Sequence, residues 1–208
     1  MAQVRRISRN KHQVRTEETQ AKILDAAEEV FSEQGFEMTQ LEEVAARAGY
    51  TRGAIYAHYA GKEDLFLALV EQRVLSKFAA IRQLIEAEPE VAKRPAMLKH
   101  WIAIQAGDRA WGTLILEFKL YALRRPQSRE KLQNMYEQMS KGSGNDFIEL
   151  LFGSTIDKAS RAAAERRLSI IGSVLSAVNL ESQFRPKPFT KPQLQQIFGE
   201  LFDALVRT

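Results

Sequence analysis

The segment from Thr39 to Lys62 constrains the fold more than any other part of the chain. Within it, Ala45, Gly49 and Ile55 follow one another at spacings of four and six residues. Where two helices cross at a steep angle, the crossing residue must be small and the turn residue must tolerate positive φ, and the second helix must return an aliphatic side chain. These three residues meet those demands in that order, so the segment predicts a helix-turn-helix.

Capping signals set the predicted limits of the two helices. Thr39 and Glu42 have the spacing of a capping box, which predicts that the first helix begins one residue after the threonine. Gly49 predicts its end, and Thr51 predicts the N-cap of a second helix over about residues 52–58. The surface left outside carries hydroxyls, cations and one glycine, which suits a phosphate backbone with base edges at the floor of a groove.

The same segment resembles the TetR family of bacterial transcriptional regulators. The positions that carry the resemblance are Thr39, Val44, Ala45, Ala48, Gly49, Thr51, Gly53, Ala54, Ile55, Tyr56, His58, Tyr59, Lys62 and Leu65. So many positions at fixed spacing make the match specific, although Tyr50 stands where a small aliphatic residue is usual. The resemblance implies an all-α chain with a three-helix DNA-binding head and a helical body that binds an effector and dimerises.

The motif also predicts which residues contact DNA. The set comprises Thr39, Tyr50, Thr51, Arg52, Gly53, Ala54, Tyr56, His58 and Lys62. Arg52 is expected to pair with a guanine, and Thr51 and Ala54 to contact a thymine methyl, while Gly53 lets the backbone approach. The other polar members are expected to hold phosphates. Two alternatives stay open, namely that Thr39 is only a cap and that His58 is only a surface residue.

Positive charge is concentrated at the N-terminus. Residues 1–16 carry arginine or lysine at positions 5, 6, 9, 11 and 15 and no acidic residue, although the net charge of the whole chain is only +4. A basic arm beside a DNA-reading element can follow phosphates or enter a minor groove. A solvated tail and an arginine-rich transit peptide are the alternatives.

Composition favours a soluble protein of the cytoplasm. The 208 residues are 45% hydrophobic, which is ample for a core, and they include no cysteine, so disulfides and thiolate zinc sites are excluded. The longest uncharged apolar run, 168–180, has 13 residues and is too short to span a bilayer. No apolar segment follows the N-terminal charges, and the three histidines lack metal-ligand spacing. We therefore expect no secretory signal, membrane, metal or cofactor.

Helical periodicity continues through the rest of the chain. Besides the two helices above, we predict helices at about residues 17–34, 62–87, 94–105, 109–124, 126–152, 158–182 and 191 onward, or about nine in all. In the first, Ile23, Ala27, Val30 and Phe31 form an inner stripe that ends at Gly35, after which Phe36 folds back onto Phe31. In the helix predicted at residues 62–87, the expected inner stripe is Leu65, Leu69, Gln72 and Ser76. The predicted domains are a head over residues 1–60 and a body over 61–208.

The resemblance implies an effector pocket in the body. Its candidate residues are His100, Trp101, Gln105, Trp111, Glu117, Phe118 and Tyr121. The sequence itself shows only bulky residues at helical spacing, and such residues belong to a core more often than to a ligand site.

The last two helices are predicted to pack against a second copy of the chain. Residues 168–180 are apolar on nearly every side, so that helix must be covered from two directions. A four-helix bundle across a two-fold axis would cover it. The candidate interface comprises Ile171, Leu175, Val178, Ile197, Phe198, Leu201 and Phe202. Burial within one chain only is the alternative.

These features predict a repressor that occupies a palindromic operator as a dimer and is released by a small-molecule effector. Activation is the alternative, because the sign of regulation depends on where the operator lies. Catalysis is not expected, since the chain has no phosphate-binding glycine loop or nucleophile elbow, and Glu28, Glu29, Glu42 and Glu43 read as helix-surface carboxylates. A third interpretation is a dimer whose degenerate head binds a protein or a lipid.

Overall fold

The computed structural model describes residues 11–105 and 108–206, with the side chains of residues 11–12, 140–146 and 206 excepted. Nine α-helices and one short 3-10 turn account for the regular structure of this described part, and it contains no strand. The prediction of an all-α fold with about nine helices is confirmed. The helices are α1 (Lys11–Met38), α2 (Leu41–Ala48), α3 (Arg52–Tyr56), α4 (Lys62–Glu86), α5 (Arg94–Gln105), α6 (Arg109–Leu123), α7 (Pro126–Phe152), α8 (Lys158–Gln183) and α9 (Lys191–Val206), with the 3-10 turn at Val91–Lys93.

The chain divides into two compact units, Met1–Val70 and Glu71–Thr208. We call the first the head and the second the body. The functional boundary expected after residue 60 stays a prediction. Within the described residues, no helix is both long enough and apolar enough to cross a membrane.

The core of the head is built on the inner stripe of α1. All four residues predicted for that stripe are fully buried. The predicted contact between Phe31 and Phe36 is confirmed, since their rings stack with centroids 5.9 Å apart. Phe66 of α4 packs edge-on against each of these rings at 5.1 Å. Three interlocked aromatic rings therefore hold α1 and the start of α4 in fixed positions.

The limits of α1 differ from the expected ones. The helix begins at Lys11 rather than near residue 17, because residues 11–16 contain no proline or glycine to stop it. Its regular part ends as predicted at Gly35, whose φ of 77° and ψ of 172° break the helical geometry. This positive φ is tolerated because glycine has no Cβ.

The capping box predicted at Thr39 and Glu42 is wrong. The Thr39 hydroxyl donates instead to the carbonyl oxygen of Gly35 at 2.7 Å, and the side chain is only 1% exposed. The N-cap of α2 is Gln40, which makes no capping hydrogen bond with its side chain. The break at Gly35 takes this carbonyl out of the regular helix, and the buried hydroxyl four residues later satisfies it.

The expected stripe of α4 is wrong in its second half. Gln72 and Ser76 are exposed, whereas Ile81 and Ile85 are buried in the core of the body. The inward-facing row advances by four residues at each step, so half-buried Arg73 and Lys77 occupy the positions between. The predicted row advances by three residues from Leu69 to Gln72, and this step turns the row toward solvent.

The helices of the body enclose an apolar cluster of buried residues, and a second, smaller cluster lies around Leu194 and Phe198. The larger cluster comprises Ile81, Ile85, Leu98, Ile102, Phe147, Leu151, Ile171 and Phe202. Helix α9 packs on α5 and α8, and α6 packs on α7 and α8. The Lys99 ammonium adds an ion pair with Asp203 at 3.0 Å, which links α5 to α9.

Predicted caps in the body are confirmed. Asp108 begins α6 by accepting from the Trp111 amide at 3.2 Å. Thr190 and Gln193 form the expected capping box of α9. The Thr190 amide donates to the Gln193 side-chain oxygen at 2.9 Å, and the Gln193 amide donates to the Thr190 hydroxyl at 3.4 Å. These short-range bonds satisfy amides that have no partner inside their own helix, which is why the sequence indicates them well.

Candidate nucleic-acid interface

Gly49 sets the angle between α2 and α3. Its φ of 75° and ψ of 26° are left-handed, as predicted, and a side chain there would be strained. The turn is closed by a 2.8 Å bond from the Tyr50 amide to the Ala45 carbonyl oxygen. Ala45 and Ile55 are buried on the inner side of the pair. The predicted division of labour between the small, turn and aliphatic residues is confirmed.

Helix α3 begins at the predicted cap. The hydroxyl of Thr51 accepts from the Ala54 amide at 3.4 Å. The helix ends at Tyr56 rather than near residue 58, so it is little more than one turn long. A short helix anchored by Ile55 on one side leaves its other sides to solvent.

Most residues of the predicted DNA-contacting set reach the surface of the head. Thr51, Arg52, Gly53 and Tyr56 are exposed, and Tyr50, Ala54, His58 and Lys62 are half-buried. Only Thr39 is buried, and its hydroxyl is bonded to Gly35. The DNA contacts of this set stay predictions.

Gly53 is a glycine that the fold itself does not require. Its φ is not in the left-handed region, and an added Cβ would meet only the Thr51 hydroxyl oxygen, at 3.7 Å. A methyl group therefore fits the free head. The conformation and packing of the head therefore do not by themselves require glycine at this position.

Arg52 is held from two sides. One terminal nitrogen of its guanidinium forms an ion pair with Glu42 of α2, and the other donates to the Tyr56 hydroxyl at 2.9 Å. The guanidinium carbon also lies 5.2 Å from the centroid of the Tyr56 ring. The bond to Tyr56 and the negative charge of Glu42 raise the pKa of Arg52 above its ordinary value. Arg52 thus presents a fixed, permanently charged donor group at the surface.

Glu42 is the residue of this site that sequence reasoning missed. The capping-box prediction assigned its carboxylate to the start of α2, but the carboxylate lies beside Arg52. A usable signal was present, because an acid in the first turn of one helix and an arginine at the start of the next face each other across a tight turn.

Lys62 is engaged inside the head. Its ammonium donates to the carbonyl oxygens of Glu37 at 2.7 Å and Thr39 at 3.1 Å, and it lies 5.0 Å from the centroid of the Phe36 ring. Burial lowers the pKa of this ammonium below its usual range. Lys62 therefore ties the first residue of α4 to the connection between α1 and α2.

The remaining aromatic residues near α3 have mainly structural contacts. The Tyr50 hydroxyl lies 3.5 Å from the hydroxyl of Thr19 on α1. Tyr59 is 9% exposed, and burial raises the pKa of its phenol. Tyr59 therefore belongs to the core of the head.

The candidate effector residues differ in their exposure, and their role stays a prediction. Phe118 is buried, Trp101, Gln105, Trp111 and Tyr121 are half-buried, and His100 and Glu117 are exposed. Trp101 packs against the core of the body. An open cleft of about 660 Å³ lies elsewhere in the body, and none of the seven candidates lines it. Its lining is Arg82, Val91, Arg94, Glu149, Leu150, Phe152, Gly153, Ser154 and Thr155.

Trp111 has a charged neighbourhood. The Arg73 guanidinium lies 4.3 Å from the centroid of its ring and forms an ion pair with Asp108. Burial and the nearby Arg73 charge lower the pKa of Lys77. Two cations, one carboxylate and an indole ring thus meet between α4 and α6.

The candidate dimer residues divide into two groups. Ile171, Phe198 and Phe202 are buried within a single chain. Leu175, Val178, Ile197 and Leu201 are half-buried and pack around Leu194 and Phe198. The side of α8 that stays open carries other residues, among them Ile170, which is 47% exposed.

Two further predictions concern the basic arm and metal binding. Positions 5, 6 and 9 of the basic arm lie outside the described residues. Among the residues that the structure describes, no group of side chains could hold a metal ion.

A short exposed helix with a cation and a phenol at its surface, joined to α2 by a left-handed turn at Gly49, has the geometry of a helix-turn-helix. Residues 23–69 match the family model of the bacterial regulatory proteins of the tetR family. Residues 23–69 are therefore similar to the domain that this family model describes, and the head that contains them has a helix-turn-helix.

Individual curated relatives are similar over part of their length. The HTH-type transcriptional regulator AcrR of Shigella flexneri is 51% identical over 55 residues, which is 26% of this chain and 26% of the relative. The first four curated relatives are matched over only 25% to 39% of their own lengths. The similarity to these relatives therefore extends over only part of each protein.

Solved structures extend the similarity of the fold. A putative tetR-family regulator from Mesorhizobium loti has a TM-score of 0.66 at 22% identity, over 92% of this chain and 96% of that one. FadR from Bacillus subtilis, solved in complex with stearoyl-CoA, has a TM-score of 0.61 at 19% identity, over 90% of this chain and 97% of that one. About nine-tenths of the chain thus shares the fold of these two proteins.

Proposed function

We propose that this chain represses transcription by occupying a palindromic operator as a dimer, and that a small molecule releases it. The observation that carries the proposal is the surface of α3, where Arg52 and 45% exposed Tyr56 face outward while Ile55 anchors the helix. An exposed arginine on a rigid helix suits bidentate pairing with guanine O6 and N7. The phenol and the capped N-terminus suit phosphates.

Dimerisation through α8 is supported by its open side. Phe184, at 78% exposure, lies at the end of the same helix as Ile170. Between them Gly172, Ser173 and Ala177 are exposed, and a Cβ added at Gly172 would meet nothing within 4 Å. Small residues flanked by large apolar ones allow a second helix to approach closely. A symmetric pair would place one α3 on each half of a palindromic site.

Release by an effector is supported by the surroundings of Trp111. An indole ring beside Arg73 and Lys77 offers both apolar area and positive charge to a ligand. FadR of Bacillus subtilis holds stearoyl-CoA in the same fold. Ligand binding here would alter the α4 contacts made by Arg73, and a coupling of about 1–3 kcal/mol is usual for such effects.

Selection of bound fragments from the genome of the source organism tests the proposal. The expected result is a set of short sites with two inverted half-sites, spaced by a whole number of DNA turns and overlapping promoters. Footprints that cover a single half-site, or no enrichment of any fragment, would contradict it. Binding sites upstream of promoters, together with lower transcription of the adjacent genes in a deletion strain, would indicate activation rather than repression.

A further inference from the structure

We propose that Glu42 is a positioning residue for base reading, because it fixes the guanidinium of Arg52 in the orientation that a guanine requires. The inference rests on the proposed function, which places α3 against DNA. It adds a residue of α2 to a site otherwise assigned to α3 and its flanks.

Two side chains, those of Glu42 and Tyr56, hold the Arg52 guanidinium, and we call this arrangement the clamp. Glu42 and Tyr56 bind different terminal nitrogens of the Arg52 guanidinium. A guanidinium has five N–H donors, so two bonds to the protein are compatible with a bidentate contact to guanine O6 and N7. Arg52 is the first residue of α3 and Tyr56 the last, whereas Glu42 lies in the first turn of α2. The clamp therefore spans the turn of the helix-turn-helix.

Exposure argues that the clamp is not there for stability. The Arg52 and Glu42 side chains are 55% and 53% exposed. Ion pairs in such surroundings contribute little to folding. Ordering a long side chain before binding, however, removes an entropy cost that would otherwise oppose the contact with the base.

The neighbouring acid provides a contrast. Glu43 lies in the same turn of α2, but its carboxylate accepts from Gln34 at 2.7 Å and pairs with Arg47 at 3.2 Å. Both acids sit near the N-terminus of α2, where a negative charge is favourable. Any effect through the helix dipole is therefore shared by the two residues, and an effect through Arg52 belongs to Glu42 alone.

The experiment compares Glu42→Gln with Glu43→Gln. Binding is measured to the duplex that the wild-type protein selects from a random pool, and to a scrambled duplex of the same length and composition. We expect Glu42→Gln to weaken the selected duplex by about three- to tenfold per head, which is the usual effect of one side chain losing its order. The scrambled duplex should not be bound more weakly, because a mobile Arg52 still reaches phosphates. Glu43→Gln should leave the ratio of the two affinities unchanged.

The same pair of substitutions in an Arg52→Gln background completes the test. There Glu42→Gln should no longer change the ratio, because the side chain that it orients is gone. An unchanged or higher ratio in Glu42→Gln, or equal changes in both glutamate variants, would overturn the proposal. Loss of discrimination on Arg52→Gln together with no effect of Glu42→Gln would reject the clamp alone. No loss on Arg52→Gln would reject the base contact of the proposed function itself.

Discussion

The ammonium nitrogen of Lys62 lies 2.7 Å from the carbonyl oxygen of Glu37. These two residues are 25 positions apart, and the bond closes the head between the end of α1 and the start of α4. Resemblance to the family implies a DNA contact for Lys62. The structure gives it a second task, because the connection that presents α2 depends on it.

Lys62→Met should therefore lower both stability and DNA affinity. Loss of the ammonium leaves two carbonyl oxygens without this donor, and we expect the free energy of unfolding to fall by about 1–2 kcal/mol. Denaturant titration measures this change. Lys22→Met is the matched control, because it removes the same charge from an exposed position of α1. Equal stability of the two variants would show that the bonds to Glu37 and Thr39 do not support the head.

Gly53→Ala should impair DNA binding without impairing the fold. The structure has room for the methyl group, so the free energy of unfolding should stay within about 1 kcal/mol of the wild-type value or rise slightly. Binding should weaken for every duplex, because the methyl group keeps the backbone away from DNA. Gly61→Ala, where an added Cβ meets nothing within 4 Å, is the control. Wild-type affinity in Gly53→Ala would mean that this backbone does not approach DNA.

Ile170→Glu should convert the proposed dimer into monomers. The residue lies on the open side of α8, so a charge there would be buried without a partner in the proposed four-helix bundle. Light scattering coupled to gel filtration gives the mass directly. Leu120→Glu on α6, at a position with 59% exposure, is the control and should remain dimeric. A monomeric Leu120→Glu with a dimeric Ile170→Glu would move the interface to α6.

Trp111→Ala should abolish release from the operator by compounds that release the wild-type protein. The substitution removes the ring that Arg73 stacks on, so the ligand loses apolar contact area and the order of that cation. The measurement is the change in operator affinity on addition of compound. Arg82→Ala, in the separate cleft, should respond as the wild type does. Normal release in Trp111→Ala with no release in Arg82→Ala would place the effector in that cleft.

Much of the fold follows from short-range signals. The limits of α5 to α9 lie within one or two residues of the expected ones, because Asp108, Gly153 and the Thr190–Gln193 box act on neighbouring amides. Long-range partners are harder to predict from sequence. The Thr39 hydroxyl donates to the Gly35 carbonyl oxygen, and the Glu42 carboxylate forms an ion pair with Arg52. Each pair comes within reach only after the backbone has turned.

The candidate sites likewise combine local features that the sequence predicts with long-range contacts that it does not. Residues of α3 that face outward were predictable, because Ile55 fixes which side is buried. An apolar stripe predicts the candidate dimer residues, but a stripe does not distinguish burial against α5 from burial against a second copy of the chain. Ile171 and Phe202 accordingly belong to the core of one chain, while Ile170 remains accessible.

The central claim is that the outward surface of α3 reads bases through Arg52. The most direct measurement is the affinity of the wild-type and Arg52→Ala proteins for the selected and the scrambled duplex, at several salt concentrations. The account predicts that Arg52→Ala weakens the selected duplex by about 1–3 kcal/mol more than the scrambled one, which is the usual worth of one bidentate base contact. Equal losses on both duplexes would contradict it, because they would reduce Arg52 to a phosphate contact.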